Sequence, residues 1–69
     1  MTHQEIKKAA ARRPFRPFTI NLSDGQAVTV QRDHEIAMHP HNKKIVIVFD
    51  VDGSVRLLNV AQVTELALS

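Results

Sequence analysis

Three histidines crowd one short stretch of this chain: His34, His39 and His41, with Asp33 and Glu35 beside them. Imidazole and carboxylate together are the donor set of a zinc site. No established ligand spacing is present, however, and His39-Pro40-His41 reads as a turn. Solvated loop histidines are therefore the expectation, with no metal and no cofactor. The hydroxyls and carboxylates point the same way. Ser23 and Ser54 lie in or beside Asp-Gly turns, where serine has a structural reason to be, and Asp24 and Asp52 are turn formers first. There is no cysteine to act as a nucleophile. No phosphate-cradling glycine loop and no recognisable catalytic motif are present. The chain reads as non-enzymatic, with no small-molecule substrate.

The remaining chemistry is cationic. Residues 1–16 carry Lys7, Lys8, Arg12, Arg13 and Arg16 against Glu5, while residues 17–69 carry four basic and six acidic side chains. A basic segment on a mildly acidic body fits contact with phosphates. The competing reading is a helix with ordinary surface charges, since an early Glu and late Lys and Arg complement the helix dipole. Without Trp or Tyr, the chain has little with which to stack bases, and base recognition needs more than cations.

The elements that carry these residues follow from periodicity. Thr2 and Glu5 form a capping box, Met1 and Ile6 occupy the staple positions, and a helix is expected over residues 2–13. Ile6, Ala9, Ala10 and the stem of Arg13 share one face. Pro14 ends the helix, and Pro14 and Pro17 hold an extended link to the sheet. Phe15 and Phe18 are expected as core anchors. In RPFRPFTINLSDGQAVTVQR, Phe18, Ile20 and Leu22 alternate with polar residues, and Val28 and Val30 resume the alternation after Asp24-Gly25. A two-residue loop would set Ile20 against Thr29. A three-residue loop of Ser23, Asp24 and Gly25 sets Ile20 against Val28 and Phe18 against Val30, which gives one clean apolar face. Gly25 then supplies the left-handed residue.

Residues 45–58 repeat this logic with a loop of Val51, Asp52 and Gly53. Phe49 is expected opposite Val55 and Ile47 opposite Leu57, and a bent strand through Ile36 and Met38 precedes them. The run from Ile45 to Phe49 is apolar on both faces, so both are expected to be buried. We assign the face of Val46, Val48 and Leu58 to contact with another protein. The tail is open to two readings: Asn59 and Gln62 capping a helix, or a 3₁₀ turn followed by a last strand with Leu66 and Leu68.

With 69 residues, one domain spanning 1–69 is expected, with its sheet over 17–69. A hydrophobic share of 43% excludes disorder. So small a domain is marginal without help, and in the absence of disulfides the help expected is a homo-oligomer. Lack of cysteine fits a cytoplasmic location, and no apolar run or leader points to a membrane.

The motif RPFRPFTINLSDG, a second Asp-Gly hairpin and the closing NVAQVTEL resemble a group of small bacterial proteins with an RPF-x-PF-x-I-x-L-x-DG core. That group has no assigned activity, so no site residue carries over. The resemblance favours the 3₁₀ turn and last strand in the tail. The order of elements is similar to the small SH3-like and Sm-like barrels. The expected fold is mainly β with one N-terminal helix, about five strands forming a strongly bent antiparallel sheet. The Sm-type RNA-binding loop patterns are absent, and a peptide groove or methyl-lysine cage would need more aromatics.

Overall fold

The computed structural model describes residues 2–68. Helix α1 spans His3–Ala11, with Thr2 as its N-cap. The Glu5 N–H donates to Thr2 Oγ1 at 3.3 Å and the Thr2 N–H donates to Glu5 Oε1 at 3.2 Å, so the capping box is formed in both directions. The staple contact expected from Met1 lies outside the described residues. Arg12 is already extended (φ −62°, ψ 137°), so the helix stops two residues earlier than 13. The pre-proline restriction on Arg13 leaves little room to continue it.

Among the described residues six strands follow, not five: β1 Phe18–Leu22, β2 Ala27–Val30, β3 Ile36–Met38, β4 Ile45–Phe49, β5 Val55–Asn59 and β6 Val63–Leu68. They make two three-stranded antiparallel sheets, ordered β2-β1-β6 and β3-β4-β5. The expected single bent sheet is not formed, and the two sheets do not close into a barrel. The reason lies at residues 33–35, a 3₁₀ turn in which Glu35 Oε1 accepts the Gln31 N–H at 3.1 Å. This turn diverts the backbone from its ladder after Val30 and delivers Ile36 to the second sheet.

Both hairpins have the expected registers. Phe18 faces Val30 and Ile20 faces Val28, while Phe49 faces Val55, Ile47 faces Leu57 and Val46 faces Leu58. Gly25 and Gly53 sit at φ +89° and +92°, the left-handed residues that these three-residue loops require. The tail takes the second reading: Val60–Gln62 is a 3₁₀ turn capped by Asn59, and β6 then pairs with β1.

The inner faces of both sheets share one core. Phe18, Ile20, Val28 and Val30 come from the first sheet, and Ile36, Val46, Val48 and Leu58 from the second. Val60, Val63 and Ile6 close it. Ile6 is the fully buried side chain of α1, a contribution on the order of 2 kcal/mol that secures the helix to the sheets. Phe15 packs partly buried against Phe18, with ring centroids 6.0 Å apart. Arg56 Nη2 of β5 donates to Gln26 Oε1 beside β2 at 2.8 Å and ties the sheets together, while Ser23 Oγ donates to Gln62 Oε1 at 2.7 Å and holds the β1–β2 turn to the closing 3₁₀ turn.

Candidate protein-contact surface

Side chains alternate along a strand, so the residues between the core positions of the second sheet must point outward. In β4 these are Ile45, Ile47 and Phe49; in β5 they are Val55, Leu57 and Asn59. Ala37 stands beside Ile47 on β3. All but Asn59 are apolar. Leu57 is 68% exposed, Val55 56% and Phe49 42%, and Val51 extends the patch at the turn. Isolated exposed aliphatics are ordinary, but a contiguous sheet face of them marks a place where a protein makes contact.

This corrects the assignment made from sequence. Val46 and Val48 are fully buried and Leu58 nearly so, all three within the chain's own core. They are not free to meet a partner. A doubly apolar strand shows that both faces are covered or in need of cover, but does not show which one the chain covers itself. The parity of Leu58 and Val60 was the available signal. Val60 must turn inward to start the closing 3₁₀ turn, its N–H donating to the Lys44 carbonyl at 2.8 Å, and Leu58 shares its side of the strand.

The outer rim of β5 is open as well. The Val60 N–H bonds Lys44 at one end of the β4–β5 ladder, and the Asp50 N–H bonds the Ser54 carbonyl at the other. Bonding alternates in an antiparallel pair, so Arg56 and Leu58 face β4 with their backbone groups while Val55, Leu57 and Asn59 face away. Beside that rim runs a groove. Leu22, Asp24, Gln26 and Gln62 form its far wall.

Four of the five expected cations are open to solvent. Lys7, Lys8, Arg12 and Arg16 are exposed. Arg13 is engaged: its guanidinium lies 3.5 Å from Asp33 and donates to the Arg12 carbonyl at 2.9 Å. Lys43, which lies outside the basic N-terminal segment, joins Lys7 around a small depression with Thr2, His3 and Gln4.

The histidines have separate roles. His39 Nδ1 accepts the N–H groups of His41 and Asn42 at 3.1 and 2.8 Å and so shapes the loop before β4. His34 lies 3.5 Å from Asp33. Among the described residues, no group of three or more His, Cys, Asp or Glu is gathered to hold a metal. Asp24 and Asp52 serve their turns by accepting the N–H groups of Gln26 and Ser54, each at 2.9 Å. Hydrogen bonds from the Ser54 hydroxyl and N–H hold the Asp52 carboxyl below its usual value of 3.8. No helix among the described residues is long and apolar enough to cross a membrane.

No family model, no curated protein and no solved structure matches this chain.

Proposed function

We propose that this chain is a small non-enzymatic contact module that associates with protein through the outer face of its second sheet. The observation that carries this reading is the continuous apolar array of Ile45, Ile47, Phe49, Val55 and Leu57 on a surface the chain leaves uncovered. Association is the common use of such a face, and a domain of this size gains most from it. Kinship with the SH3-like and Sm-like folds belongs to the same proposal and rests on element order. Light scattering tests the reading. The wild type is expected to exceed the 7.8 kDa of one chain, and Phe49→Lys to return it to that mass with unchanged circular dichroism. A wild type that stays at one chain mass up to about 1 mM overturns the proposal.

A second reading, phosphate contact, is favoured by the arrival of Lys43 beside Lys7. With Lys8, Arg12 and Arg16 this gives a cationic side that holds nucleic acid through its backbone alone, without sequence preference. Titration of labelled single-stranded RNA at low and physiological salt is expected to show weak binding that falls steeply with salt. Lys8→Glu/Arg12→Glu should abolish it. Binding that ignores salt, or that survives the reversal, contradicts this reading.

A further inference from the structure

We infer that the partner of the second sheet is a second copy of this chain, joined β5 to β5 about a two-fold axis at Leu57. The inference rests on the contact-surface reading above and adds the rim of β5 to it, since edge pairing joins the outer faces of the two copies into one surface. Three features support it.

The first is the backbone. Val55, Leu57 and Asn59 present their N–H and C=O groups along the rim, away from β4. Edge strands are usually blunted by lysine, proline or a bulge. Strand β5 (VRLLN) has none of these, and its one charge, Arg56, is drawn aside to Gln26. Antiparallel pairing centred on Leu57 sets Leu57 against its own copy and Val55 against Asn59. All three outward-facing residues then fall in hydrogen-bonded pairs. A two-fold contact of this kind is self-complementary and closed, so it stops at two chains.

The second feature is side-chain continuity. Ala37, Ile47 and Leu57 already form one row across the second sheet. The two-fold axis continues that row through Leu57, Ile47 and Ala37 of the second copy, giving one six-stranded sheet.

The third is charge. The groove beside β5 holds one cation, Arg56, and one anion, Asp24. Asp24 has no cationic partner among the described residues. Its carboxylate accepts the Gln26 N–H at 2.9 Å, and two side-chain bonds cross the groove on either side of it. Arg56 meets Gln26 on one side, while Ser23, the neighbour of Asp24, meets Gln62 of the 3₁₀ turn on the other. Pairing about Leu57 sets Arg56 of the second copy opposite Leu58, in the groove that Asp24 lines, where its guanidinium exchanges the Gln26 of its own chain for Asp24 of the first. An extended segment from an unrelated protein would not need this reciprocal pair.

The test is amide hydrogen exchange on the wild type at high and low concentration, joined to light scattering of three variants. In the two-fold dimer, Leu57 exchanges at least about tenfold more slowly at high concentration than on dilution. Ala27 and Thr29, which face away from β1 on the open rim of β2, exchange fast at both. Leu57→Pro removes an N–H that β4 does not use, a substitution edge strands accept, and the mass should fall from twice 7.8 kDa to one chain. Asp24→Arg should weaken the dimer, and adding Arg56→Asp should restore it. If Leu57→Pro fails to fold, wild-type exchange and the charge swap still decide. An assembled wild type whose Leu57 amide exchanges freely and whose charge swap is inert overturns the two-fold pairing and leaves the contact face standing. A wild type that stays at one chain mass overturns both.

Discussion

On the outside of the first sheet, Thr19 and Thr29 share a hydrogen bond of 3.1 Å and Asn21 donates to Glu65 at 3.3 Å. On the outside of the second sheet, the corresponding cross-strand pairs are Ile47 with Leu57 and Phe49 with Val55. Both sheets are three antiparallel strands containing one hairpin closed by a three-residue Asp-Gly loop. Both give their inner faces to the same core. Because the frame is shared, the frame does not explain the difference outside. A sheet with polar outer pairs is complete in water. One with aliphatic outer pairs gains from being covered, since apolar area left in water forgoes about 25 cal/mol per Å².

The largest test of this contrast exchanges the two faces of β4 and β5 within the second sheet. Val48→Lys buries an unpaired ammonium in the shared core at a cost of several kcal/mol, comparable to the stability of a small domain. The far-UV circular dichroism and the dispersion of the amide NMR spectrum should both collapse. Leu57→Lys places the same charge on the outer face and should leave both intact. A folded Val48→Lys protein would contradict the assignment of faces.

The two turns offer a smaller test, in which the sheets should behave alike. A Cβ at Gly25 or Gly53 meets nothing within 4 Å, so Gly→Ala at either is opposed by the backbone conformation alone. Each should cost about 1–2 kcal/mol in urea unfolding. A large inequality would show that one turn carries a load beyond closing its hairpin.

The smallest effect concerns Asp52. Its carboxyl is held low by the Ser54 hydroxyl and N–H. With the folded value depressed, the stabilisation is present above the unfolded value of 3.8 and fades as pH falls through the folded one. Ser54→Ala should raise the Asp52 value toward 3.8 by NMR titration, with little change in stability at neutral pH. An unmoved titration would remove the Ser54 hydroxyl as the main cause.

Much of the fold was legible because local rules and burial agreed. Phe18, Ile20, Val28 and Val30 admit one register with a clean face, and Asp24-Gly25 supplies the turn that it needs. The helix start was equally plain in Thr2 and Glu5. Two things were not legible. The 3₁₀ turn at Asp33–Glu35 carries no hydrophobic period, so one bent strand was expected where two strands in different sheets occur. The faces of β4 are both apolar, and alternation says nothing about which one turns inward. That choice is made by distant residues, through the inward start of the closing turn at Val60 and the helix anchor Ile6. The exposed apolar face therefore lies on the strands expected, β4 and β5, and on the opposite side of them.

The central claim is that the second sheet's outer face is a contact surface and the first sheet's is not. Sedimentation equilibrium on three proteins measures this most directly: the wild type, Leu57→Lys on the second sheet and Thr29→Lys on the first. The account predicts that the wild type and Thr29→Lys sediment alike, above the 7.8 kDa chain mass, and that Leu57→Lys sediments as one chain. Equal masses for the two lysine variants, or a wild type at one chain mass throughout, would contradict it.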